Sequence, residues 1–311
     1  MSKSTIRWAG TAGLGMIMAF TAACGVQGAS KPPADAVAVV NGQVLTVKDW
    51  KLATNATDLL QQVTLPTTKS AEKKQVKELA DQLAVQQYAL KHHWITRAKA
   101  ASEANAFVTQ NVLTALGGAA KADAALKQQH LTQKSFTSYM TGQMLMEAAF
   151  AHVVKSVKTP TTAQLQAYYN THQSSFSQDK MRMILVSKLS LAQSIMKQLQ
   201  NGGSWATLAK KYSLDTYSKN KGGEYGWVST GPASNFVTPF YVEMDKLKPG
   251  QYGIAHTQYG YHVIQVQATR YEPFATVQAQ LSSTLLQTHQ DAAFQKFMNT
   301  VSKAAHIQLP V

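Results

Sequence analysis

The sequence predicts an α+β protein in which a βααβαββ domain with an antiparallel sheet is inserted in a mainly α-helical module. Three observations carry this expectation. Apolar residues recur at helical spacing through much of the first half of the chain, residues 181 to 268 switch to short apolar runs divided by Gly-rich turns, and an amphipathic stretch follows Pro273.

The elements follow in chain order. Val37 to Val47 holds two apolar runs around Asn41-Gly42, a hairpin signal because both residues tolerate the positive φ of a tight turn. Thr46 or Lys48-Asp49 then opens a helix with Trp50 and Leu52. Glu72 to His93 spaces Val76, Leu79, Leu83, Tyr88 and Leu90 as a helix does, and Phe136 to Val154 repeats the pattern. A boundary at Thr159-Pro160-Thr161 precedes a short helix from Ala163 to Tyr169. Met181 to Val186 reads as a strand, Leu191 to Leu199 as a helix stopped by Asn201-Gly202-Gly203, and Ser204 as the cap of a second helix ending at Tyr212. A Gly-rich loop leads to Trp227-Val228, a short helix starts near Pro239, and Tyr261 to Ala268 alternates as a strand. The final helix carries Val277, Leu281, Leu285, Phe294, Phe297 and Val301 on one face. A helix cannot bury that stripe alone, so it is expected to pack on the N-terminal helices.

The chain has 311 residues, 45% of them hydrophobic, enough for two cores. Its formal net charge is +14, yet only 15% of residues are charged, against roughly 25% in an average domain. Scarce carboxylates therefore make the excess. It favours anionic surroundings such as lipid headgroups, and without a basic recognition helix or aromatic platform it does not point to nucleic acid.

Cys24 is the single cysteine, which excludes an internal disulfide and a Cys-based zinc site. It ends a positive start at Lys3 and Arg7, an apolar stretch from Trp8 to Phe20, and the small-residue run Thr21-Ala22-Ala23. That is the form of a secretory signal peptide, too short to be a stable transmembrane helix. The run resembles a bacterial lipobox, with Thr21 where Leu is usual, and the resemblance implies lipidation of Cys24 after removal of residues 1 to 23. Residues 24 to 36, with Pro32-Pro33, then read as a tether, and the protein is expected on the extracytoplasmic face of the cell membrane.

The motifs lie in the second half. Tyr212-Ser213-Leu214-Asp215, Lys219 to Trp227 around Gly222-Gly223, then Gly250, then Thr257-Gln258-Tyr259-Gly260-Tyr261-His262-Val263-Ile264 occur over about 90 residues. This order and spacing closely resembles the parvulin family of peptidyl-prolyl isomerases. With the Val-Asn-Gly hairpin and helical flanks, the whole chain resembles PrsA-type foldase lipoproteins and, more distantly, SurA-like chaperones. The resemblance implies a parvulin-like domain at 177–270, an N-terminal chaperone domain at 37–176, and a C-terminal helix at 271–311. It also implies clients that are unfolded or newly exported proteins with X-Pro bonds, and it leaves a homodimer open.

Such chemistry needs no nucleophile, metal or cofactor. Twisting an X-Pro amide breaks no bond, and it is slow because it sacrifices resonance. A catalyst needs an apolar slot for the proline ring, a drier setting for the less dipolar twisted amide, and hydrogen bonds that match it. By the resemblance, Phe236 and Phe240 take the proline-pocket positions, Tyr225 the wall position where Leu is common, and Tyr259 joins the substrate-binding residues. Asp215 takes the central acidic position and His262 that of the sheet histidine beneath it; these two are the expected catalytic pair. Without the resemblance, the two phenylalanines would read as core aromatics, His262 as a satisfied core histidine and Asp215 as a turn residue. Gly222-Gly223 lacks the Lys-Ser/Thr of a phosphate loop, and His92-His93 point to different helix faces, so neither marks a ligand site. One departure stands out: Met183-Ile184-Leu185 occupies the place of the family's His-Ile-Leu. A thioether is only a weak acceptor, so Met183, counted among the substrate-binding residues, implies reduced activity and keeps a non-catalytic holdase as the alternative.

Overall fold

The computed structural model describes residues 33–230 and 234–309. The signal-like segment and Cys24 lie outside the described residues. Two compact units form: one takes the described residues up to Thr159 and again from Leu285, the other Pro160–Thr284.

The first unit opens with the hairpin β1 (Ala36–Val40) and β2 (Gln43–Thr46). Asn41 and Gly42 both have positive φ, 49° and 83°, as a two-residue turn of this kind requires. Thr46 caps α1 (Val47–Gln61) in a reciprocal capping box with Asp49, so the helix begins three residues before Trp50. Then come α2 (Lys69–Lys91) and α3 (Arg97–Phe107), the latter running into a π-helical turn at Val108–Val112. Next are α4 (Leu113–Ala115), α5 (Ala119–Gln128) and α6 (Gln133–Val154). Leu79, Leu83, Phe136, Tyr139 and Met140 are almost fully buried in one core.

The second unit starts with α7 (Thr162–Thr171), capped by Thr161. It continues as β3 (Ser177–Val186), α8 (Leu189–Gln200), α9 (Trp205–Tyr212), β4 (Glu224–Ser229), α10 (Thr238–Met244), β5 (Tyr252–Thr257) and β6 (Gly260–Tyr271). From β3 onward this is the predicted βααβαββ order. Ser204 caps α9, accepting from the Thr207 amide. The sheet is antiparallel throughout in the order β4-β3-β6-β5. Helices cover both faces, which is why β6 is buried continuously from His262 to Val266. On one face Ile184, Val186 and Val263 pack with Ile195, Trp205 and Leu208 of α8 and α9. On the other, Met181, Met183, Ile264 and Val266 pack with Phe240 and Met244 of α10.

α11 (Phe274–Ala304) is a single helix of 31 residues. Its residues from Leu285 belong to the first unit, where Phe294 and Val301 are buried in the core with α2 and α6. The chain then forms β7 (Ile307–Gln308), which pairs with Val39 and Val40 and turns the expected hairpin into a three-stranded sheet β2-β1-β7. Among the described residues no helix is long and apolar enough to cross a membrane.

Candidate active site

Strand register builds the site. Leu185 pairs with His262, and Met183 with Ile264, so Met183 is a diagonal neighbour of His262 on the same sheet face. On the other side, Ala255 pairs with His262 and places Thr257 diagonally across from it. The imidazole therefore sits between a thioether and a hydroxyl: Nδ1 is 3.1 Å from Met183 Sδ, and Nε2 is 2.8 Å from Thr257 Oγ1. A thioether can only accept, so the favourable tautomer carries its proton on Nδ1. Nε2 then accepts from the Thr257 hydroxyl, whose oxygen also takes the Tyr259 amide at 3.1 Å. Both ring nitrogens are taken.

His262 is 5% exposed, and burial lowers its pKa from 6.5 to about 4, more than the Asp215 carboxylate raises it. At neutral pH it is an uncharged imidazole. Its ring meets the edge of Phe240 at 5.1 Å and 85°. Phe240 stacks on Phe236 at 4.3 Å, and Phe236 meets Tyr225 at 5.4 Å. The Asp215 carboxylate lies near enough to act on the Tyr225 phenol. Burial first, and then the Asp215 carboxylate, push the Tyr225 phenol well above its usual range.

Asp215 lies in the loop after α9. Its amide donates to Ser213 Oγ at 3.2 Å, and its Oδ2 accepts from the Ser218 amide at 2.8 Å and from the Ser218 hydroxyl. That is an Asx-type turn, with the carboxylate fixed by its own loop. Gly223 lets this loop lie against β3: its φ is +83°, and a Cβ there would fall 2.5 Å from the Met183 carbonyl oxygen.

Five of the expected residues, Met183, His262, Phe240, Phe236 and Tyr225, thus form one continuous series of contacts, and the Asp215 carboxylate acts electrostatically on Tyr225 and His262. Phe240 lies deeper than a slot position suggests, at 1% exposure. Tyr259 stands apart: the residue is 62% exposed on the β5–β6 turn, and it reaches the site through its amide. Sequence reasoning missed Thr257 and Ser218 as partners. The Asp-x-x-Ser spacing is a signal for the second, and nothing but strand register could have given the first.

The family profile of the PPIC-type PPIase domain matches residues 168–270. The foldase protein PrsA of Caldanaerobacter subterraneus subsp. tengcongensis is 31% identical over 192 residues, which cover 60% of this chain and 61% of that one. Foldase protein PrsA 1 of Lactobacillus johnsonii is 37% identical over 147 residues, 46% of each chain. The chain spans at most about three fifths of the length of these relatives. Among solved structures, the peptidylprolyl isomerase PrsA of Bacillus anthracis aligns at 23% identity and a TM-score of 0.35, over 72% of this chain and 95% of that one. Residues 168–270 match the PPIC-type, or parvulin, peptidyl-prolyl isomerase domain, and the chain that carries them is similar to the PrsA-type foldases.

Proposed function

We propose that the protein is an extracytoplasmic, lipid-anchored foldase that accelerates cis/trans isomerisation of X-Pro bonds in newly exported proteins and assists their folding. The observation that carries this reading is the contact series from Met183 and His262 through Phe240 and Phe236 to Tyr225, with the Asp215 carboxylate fixed in the neighbouring loop by Ser218. It sets an aromatic wall beside a neutral imidazole and a fixed carboxylate. The wall seats the proline ring and removes water from the amide, which favours the twisted, less dipolar state over the planar one. Met183 and Phe240 form the floor, Phe236 and Tyr225 the side, and Tyr259 meets the flanking peptide outside the slot. His262 orients the floor and moves no proton. Asp215 supplies the charge that distinguishes the twisted amide from the planar one. The anchor is Cys24, whose lipid chains each contribute about 0.8 kcal/mol per buried CH₂ to membrane attachment.

A refolding assay limited by prolyl isomerisation tests the activity. The wild type should accelerate the slow phase, and Phe236→Ala should weaken the acceleration through the side of the slot that is not core. Met183 favours a second reading, a holdase whose isomerase site is degenerate. No acceleration by the wild type, with aggregation of an unfolded client still suppressed, selects the holdase. For the anchor, Cys24→Ser should move the protein from the membrane fraction to the soluble one, and release of the native protein by high salt alone would refute lipidation.

A further inference from the structure

The Asp215 loop does more than turn the chain, because it takes over one edge of the sheet. β4 pairs with β3 from Gln178 to Arg182 and stops there. Beyond that point the outward backbone groups of β3 bond to the loop instead. The Met183 amide donates to the Gly223 carbonyl at 2.9 Å, the Leu185 carbonyl accepts the Leu214 amide at 2.8 Å, and the Leu185 amide donates to Ser213 Oγ at 3.3 Å. Two serines connect these bonds to Asp215. Ser213 Oγ also accepts the Asp215 amide at 3.2 Å. The Ser218 carbonyl accepts the Lys221 and Gly223 amides at 2.8 and 2.9 Å, while its own amide and hydroxyl hold Asp215 Oδ2. Both serines are 0% exposed, so water does not compete for these bonds. Asp215 is thus tied to Leu185 through Ser213 and to Met183 through Ser218 and Gly223. These are the residues of β3 that border His262: Leu185 pairs with it, and Met183 Sδ meets its ring.

We infer that Ser213 and Ser218 are positioning residues for the isomerase site: together they register the Asp215 carboxylate on the strand that carries the floor of the slot. This rests on the proposed isomerase reading and deepens it. A serine that only closed a turn would act on stability alone, whereas one that sets the carboxylate acts on the twisted amide and therefore on kcat.

The test is steady-state isomerisation of a prolyl peptide by the full chain, comparing wild type, Ser213→Ala, Ser218→Ala, Asp215→Ala and the two double variants. Ser218→Ala removes a donor to the carboxylate and should lower kcat about tenfold, the effect of losing one hydrogen bond to a charged group, with KM changed by less than about twofold. Ser213→Ala, which frees the backbone of Asp215 from β3, should show the same split between kcat and KM. On the Asp215→Ala background neither change should lower the residual rate further, because the group they position is gone. Should a buried alanine variant fail to fold, the near-isosteric Ser→Cys change at the same position, assayed in reductant, carries the same expectation, since a thiol is a weak hydrogen-bonding group. Unchanged kcat in the folded serine variants, a rise in KM alone, or a loss of equal size without the Asp215 carboxylate overturns the inference and leaves the isomerase reading standing. A wild type with no turnover removes both.

Discussion

His262 makes the fold sensitive to acid in a calculable way. A protonated imidazole would need acceptors at both nitrogens, and it has a thioether at one and a hydroxyl already donating to it at the other. The proton is therefore disfavoured in the folded state, where the pKa is about 4, against 6.5 for an ordinary imidazole. Because the folded value lies below the unfolded one, the unfolded chain binds more protons between these limits, and stability falls as the pH drops through 6.5 toward 4. Above 6.5 nothing is lost. The loss grows by about 1.4 kcal/mol per pH unit inside the window, reaching about 2 kcal/mol at pH 5 and about 3 kcal/mol at pH 4. Asp179 in the same unit acts in the opposite direction, since burial raises its pKa despite the Thr269 hydrogen bond. Its contribution is common to wild type and variant and cancels in their difference. Urea unfolding of the full chain at pH 7, 6, 5 and 4.5, read by pulsed hydrogen exchange in peptides from β3 and β6, isolates this unit. His262→Gln, which cannot titrate, should lose about 2 kcal/mol less than wild type between pH 7 and pH 5. Parallel pH curves for the two proteins would refute the account.

Two further outcomes follow from the same geometry. Met183→His replaces the weak acceptor facing His262 Nδ1 with a ring nitrogen and should raise kcat/KM in a prolyl peptide assay; an unchanged or lower value in a folded variant would show that the thioether does not limit turnover. Phe240 is 1% exposed, so Phe240→Ala should destabilise the unit by about 3–5 kcal/mol in chemical denaturation, whereas Phe240→Leu should cost much less. A loss below about 1 kcal/mol for the alanine variant would mean that the ring faces the slot rather than the core.

What could be read from the sequence depended on whether the signal was local. The Asn41-Gly42 turn was legible because its positive φ values belong to those two residues. The Ser204 cap and the start of α10 at Pro239 were legible for the same reason. β7 was not: two residues become a strand only by meeting Val39 and Val40 from the far end of the chain. The place of β5 was also hidden, although the expected order included it, since Tyr252-Gly-Ile-Ala-His-Thr alternates weakly, with Gly253 and Ala255 as two of its inward members. The site shows the same division. Asp215, Phe236, Phe240 and His262 were picked out through the family resemblance, which stands in for tertiary knowledge. Thr257 was not, because its place follows from register across β5 and β6.

The methionine at 183 does more than remove a partner. A second imidazole could donate or accept and would leave the tautomer of His262 free to exchange, whereas sulfur only accepts and pins the proton on Nδ1. That polarity runs outward: Nε2 holds the Thr257 hydroxyl, and the Thr257 oxygen holds the Tyr259 amide at the tip of the β5–β6 turn. The turn is tight enough that Gly260, at φ +127°, has no room for a Cβ, which would lie 2.5 Å from the Val186 carbonyl oxygen. The floor of the slot is thus electrically fixed and uncharged, and cannot respond as the amide twists. Under the proposed isomerase reading, the response to the changing dipole comes from the Asp215 side, where the carboxylate is held by the Ser218 amide and hydroxyl. Each 1.4 kcal/mol of preferential stabilisation there is worth about tenfold in rate. On the proposed isomerase reading, turnover depends on how rigidly that carboxylate is held, more than on the histidine beneath it.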